Sequence, residues 1–157
     1  MSAGLFFLTQ LKIRLTFSLY PFNSMSADMK LILDSTELAL LLTGVEELGV
    51  KGCKCSLQRC EGWDSMSDSM WPKEKLIALA TLRDSAVDEP SFEEYQPNGV
   101  RPDDPNALIS VEHFPYNRCD VFACTQCNQG VMRYTEYGGY YIDHRARRVR
   151  ADQVIKK

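Results

Sequence analysis

From Ala107 onward the chain breaks into short runs rich in β-branched and aromatic residues, "ALISVEHF", "DVFAC", "GVMRYTEY" and "YYIDHR", with turn residues between them. That spacing predicts a small antiparallel meander. Gly138-Gly139, between "RYTEY" and "YYIDH", reads as a two-residue loop in a primed turn, since glycine accepts positive φ at both positions. The runs "DVFAC" and "GVMRYTEY" flank Cys124-Thr-Gln-Cys127-Asn-Gln-Gly130. Two thiols therefore fall at the tip of a hairpin, with a glycine where the chain turns back.

Upstream the periodicity changes. Lys30–Leu33 reads as a short strand, and Asp34 as the N-cap of a helix, with Glu37 completing a capping-box pattern. Leu38, Leu41, Leu42, Val45 and Leu48 then fall on one helical face, and Gly49 stands where a C-terminal cap belongs. Gly52–Trp71 has no sustained period and reads as a loop. "WPKEKLIALATLRD" fits a helix opened by Pro72 or a strand over "IALATL". The expected fold is α+β, a helix-rich N-terminal half followed by the meander with its knuckle hairpin. One domain is drawn over residues 25–157. Residues 1–24 are read as an extension outside it, because Lys12 and Arg14 interrupt an apolar run shorter than the roughly 20 residues of a span. No membrane span is expected.

Two residues between thiolates let both sulfurs reach one ion, and a structural zinc site takes four ligands. Cys124 and Cys127 supply two. Cys55 and Cys60 are the expected partners, with Cys53 as the alternative. An aperiodic loop gains most from being tied to the hairpin. Disulfides belong to an oxidising compartment, and no secretory signal pattern precedes this domain, so a cytoplasmic protein with a Zn²⁺ site is expected.

A catalytic set is hard to draw. His113 and His144 are the two histidines, and no nucleophile signature surrounds Cys119. The expectation leans away from an enzyme. "HRARRVR" carries Arg145, Arg147, Arg148 and Arg150 close to Tyr134, Tyr137, Tyr140 and Tyr141, a pairing used in single-strand nucleic-acid binding. Against it, the span from Met25 to Asn117 holds 8 basic and 17 acidic residues. Such a face repels phosphates and steers in a basic partner.

Cys124–Gly130 resembles one half of a zinc ribbon. "HFPYNR" (His113–Arg118) and "RYTEYGGYY" (Arg133–Tyr141), on either side of it, resemble segments of small bacterial proteins without an assigned activity. That resemblance spans about Glu89 to Arg148 and implies an architecture, not a catalytic residue. The function expected from these observations is binding of a protein partner, in the manner of an immunity protein or adaptor. A nucleic-acid-binding regulator using the arginine segment is the alternative.

Overall fold

The structure, a computed structural model, describes residues 29–49 and 54–156. The extension read over 1–24 and the alternative ligand Cys53 lie outside the described residues.

β1 (Lys30–Leu31) leads into α1 (Ser35–Glu47). The Asp34 carboxylate accepts the Glu37 N–H at 3.0 Å, satisfying one of the amides that a helix start leaves without a partner. Glu37 turns its own carboxylate toward Lys30 of β1. Ser35, Leu38, Ala39, Leu42 and Val45 are buried; enclosing a leucine stabilises by roughly 1.5–3 kcal/mol. The helix stops at Leu48. Gly49 serves close approach there: a Cβ would stand 3.0 Å from the Glu46 carbonyl and 3.5 Å from that of Cys127.

The helix-rich N-terminal half is not what forms. Among the described residues there is one α-helix, and the fold is dominated by a six-stranded mixed sheet in the order β1-β3-β4-β5-β6-β2. The ambiguous segment becomes β3 (Leu76–Thr81), and Pro72 leads only into a single 3-10 turn, Lys73–Lys75. β3 pairs parallel with β1 and antiparallel with β4 (Asp120–Cys124). Backbone partners on both sides outweigh a local pattern that also suits a helix. The segment read as loop adds β2 (Asp64–Ser65), which pairs with β6 (Ile142–Arg148).

β4, β5 (Gly130–Tyr137) and β6 follow one another as antiparallel neighbours. The first run of the expected meander, "ALISVEHF", forms no strand: it makes one isolated parallel bridge, Ile109 to Val154, and then turns. The turn between β5 and β6 differs from the expected one. Tyr137 pairs with Ile142, so the connection is the four residues 138–141, closed by Gly138 N–H to the Tyr141 carbonyl at 2.9 Å. Among the described glycines only Gly99 has positive φ. At Gly138 the exposed Tyr141 ring lies over the space a Cβ would take.

Strand alternation splits the sheet into two buried faces. Val121, Met132 and Tyr134 join α1, Ile109 and Val154 in the main core. Cys124, Val131 and Ala146 face the other way, onto Cys55, Leu57, Cys60, Met66 and Trp71. The segment after residue 53 is thus a second layer on the sheet with little regular structure of its own. No helix among the described residues is long and apolar enough to cross a membrane.

Candidate metal centre

Cys124 ends β4, and the chain reverses immediately. Asn128 N–H donates to the Cys124 carbonyl at 2.8 Å, Cys124 N–H to that of Gln129 at 3.1 Å, and Thr125 N–H to that of Lys75 at 2.8 Å. The left-handed residue is Asn128, with φ 53°, a conformation asparagine tolerates better than most. Its side-chain amide donates to the Leu48 carbonyl at 2.7 Å, tying the knuckle to the end of α1. Gly130, expected to make the turn, instead opens β5. It lets the backbone close on its surroundings, since a Cβ would stand 3.1 Å from Leu42 and 3.3 Å from the Val149 carbonyl.

The sulfurs of Cys55, Cys124 and Cys127 lie within 4.8 Å of one another. A tetrahedral ion about 2.3 Å from each sulfur holds them roughly 3.8 Å apart, so the three thiols lie close enough to hold a metal ion. Cys55 and Cys124 are buried, and Cys127 is half-buried. Leu57, Met66, Trp71 and Val131 surround them, and such soft donors in an apolar shell suit zinc better than a hard cation.

Cys60 lies in the same apolar cluster but outside that close group. Its thiol pKa is pushed up to about 11, first by burial and then by the charge of Asp64. Its backbone is fixed to the sheet, the carbonyl accepting Arg148 N–H at 2.8 Å. The sixth cysteine, Cys119, sits in the main core, where its thiol donates to the Pro115 carbonyl at 3.3 Å. Burial pushes its pKa well up, which disfavours the nucleophilic thiolate. His113 Nδ1 shares a hydrogen bond with Ser110 Oγ at 2.6 Å, and His144 Nδ1 one with Thr135 Oγ1 at 3.1 Å.

The four arginines do not form a free cationic strip. Arg145 pairs with Asp143, Arg148 with Glu61 and Arg150 with Asp152. Arg147 is 0% exposed. Its guanidinium donates to the Tyr116 hydroxyl and to the carbonyls of Pro105 (3.2 Å) and Ala107 (2.7 Å). Burial lowers its pKa and raises that of Tyr116 to about 12.

Those bonds belong to a wider set that anchors the turn-rich stretch before the meander. The chain runs from 82 to 108 without helix or strand, about twice the length at which structureless loops become uncommon. Side chains of the body hold it, Arg147, Asn117 and Gln153 buried and Arg118 half-buried. Besides Arg147, Gln153 Nε2 donates to the Pro105 carbonyl at 2.7 Å, Asn117 Nδ2 to that of Ser91 at 2.8 Å, and Arg118 to that of Pro90 at 2.7 Å. The stretch carries Asp84, Asp88, Glu89, Glu93, Glu94, Asp103 and Asp104. Its arginines are engaged, Arg83 with Asp120 and Arg101 with Asp103.

No family model matches the chain, and neither the curated proteins nor the solved structures contain a match to it.

Proposed function

We propose that this is a non-catalytic, zinc-stabilised binding protein that acts on a basic protein partner, in the manner of an immunity protein or adaptor. Zinc held by Cys55, Cys124 and Cys127 ties the cysteine layer to the sheet, with a fourth ligand from Cys60 or Cys53. A metal in such a site adds its binding free energy to folding. Reduced thiols suit the cytoplasm.

The observation that carries the binding role is the ordered acidic stretch over 82–108. Its backbone is held by buried and half-buried side chains of the body. Asp88, Glu89, Glu93 and Glu94 form no salt bridge among the described residues. A surface held in one shape loses little entropy when a partner docks, and carboxylates without internal partners steer a basic one toward it.

Charge reversal tests the reading once a partner is in hand. Glu93→Lys combined with Glu94→Lys should slow association about tenfold at low salt and leave dissociation nearly unchanged, measured by surface plasmon resonance. An association rate equal to wild type at low salt contradicts it.

A further inference from the structure

The hairpin of β5 and β6 reaches past the rest of the sheet. β4 pairs with β5 only over Gly130–Arg133, and β2 meets β6 only at Arg145 and Ala146. Beyond them the rows Thr135–His144, Glu136–Asp143 and Tyr137–Ile142 pair across the hairpin itself. One further backbone tie, Met66 N–H to the His144 carbonyl at 2.7 Å, holds its base.

The end of this arm is apolar and open. Tyr137 is 76% exposed, Tyr140 105%, Tyr141 57% and Ile142 67%. Large apolar side chains gathered at one exposed point mark an interaction surface. Tyrosine offers broad, stiff contact area at low entropic cost.

The charges nearby say what fits it. Glu136 stands directly across the ladder from Asp143, and like charges in that position destabilise a hairpin. Asp143 has Ser65 Oγ at 2.6 Å and Arg145 at 3.4 Å. Glu136 forms no salt bridge among the described residues. The same face of β5 carries Tyr134, whose ring meets Phe114 edge-on at 5.7 Å. Phe114 in turn meets Phe92 at 5.5 Å, and Phe92 is 73% exposed beside Glu93 and Glu94. The ring contacts Tyr134–Phe114–Phe92 thus run from the base of the arm through the core to the exposed edge of the acidic stretch.

We propose that the tip of the β5–β6 hairpin is the element this protein inserts into its partner, a protein with an apolar cleft rimmed by basic side chains. The inference rests on the protein-binding reading and assigns it a surface. Three tyrosines and an isoleucine bury roughly 600 Å², most of the ~800 Å² that each side contributes to a standard interface. Basic groups at the rim would pair with Glu136, whose ladder partner Asp143 is already held by Ser65 and Arg145. A nucleic-acid backbone or an anionic lipid surface would meet those carboxylates with like charge. So would a second copy of the chain meeting the arm face to face.

Site-specific crosslinking tests this. The full chain carrying Tyr140→p-benzoylphenylalanine is irradiated in the cells that make it, with Leu40→p-benzoylphenylalanine, exposed on α1, as the comparison. Position 140 should join a protein of basic isoelectric point, identified by mass spectrometry, and position 40 should not. With that protein purified, Tyr140→Ala combined with Tyr141→Ala should weaken binding at least about tenfold without changing the melting temperature. An adduct at position 140 with a second copy, a nucleic acid or an acidic protein overturns the inference. Adducts at position 40 only, with affinity indifferent to the tip variants, overturn the tip and leave protein binding standing. No protein adduct at either position overturns both.

Discussion

Arg147→Met separates a buried anchor from a surface cation. Arg147 is fully enclosed, and methionine is of similar reach but offers no donor. The Pro105 carbonyl keeps its bond from Gln153. The Tyr116 hydroxyl and the Ala107 carbonyl lose theirs. Each acceptor left buried without a donor costs about 1–3 kcal/mol. The desolvation that lowers the Arg147 pKa disappears with the charge and offsets part of that. The expected net loss is about 3 kcal/mol, a sizeable share of the ~5–15 kcal/mol that keeps a domain folded. At roughly 2–4 °C per kcal/mol, the melting temperature falls by about 6–12 °C. Urea unfolding followed by tryptophan fluorescence reads this directly, since Trp63 packs against Tyr116 at 5.7 Å. Arg150→Ala, which removes only a surface pair with Asp152, should cost less than about 1 kcal/mol. If Arg147→Met stays within about 0.5 kcal/mol of wild type, the anchoring role is refuted.

Asp143 is held below the ordinary carboxylate range, first by the Ser65 hydroxyl and then by Arg145. A depressed folded value stabilises above the unfolded pKa, near 4, and that contribution is lost as pH falls through the folded one. A carboxyl NMR titration should place Asp143 below that value, and Ser65→Ala should move it upward; an unmoved titration contradicts the assignment. At Asn128, Asn128→Gly should cost about 1 kcal/mol for the lost bond to Leu48. Asn128→Ala should cost a further ~1 kcal/mol for the positive φ, and thermal melts in the opposite order would contradict that account of the turn.

The sequence shows most where one local pattern dominates. Asp34 and the leucine spacing announce α1, and the strand-like runs after residue 119 announce β4 to β6. It shows least where partners distant in the chain decide. "IALATL" satisfies two periods, and only its place between β1 and β4 makes it a strand. The layer holding Leu57, Met66 and Trp71 has no period because its burial comes from packing on the sheet. Cys124 and Cys127 were legible from spacing, and Cys55 from its nearness to them in type alone. That Cys60 stands outside the close group depends on a loop path no spacing encodes. Arg147 looked like its neighbours in "HRARRVR". Its ladder row, opposite Met132, is what turns it into the core.

Zinc content is the most direct measurement of whether the thiols of Cys55, Cys124 and Cys127 tie the cysteine layer to the sheet. Protein purified under reducing conditions should carry about one zinc per chain, by inductively coupled plasma mass spectrometry. Cys119→Ser should keep it and Cys124→Ser should lose it, and chelation should lower the melting temperature of wild type. Metal-free wild-type protein that melts at the same temperature with and without chelator would contradict the zinc-stabilised fold.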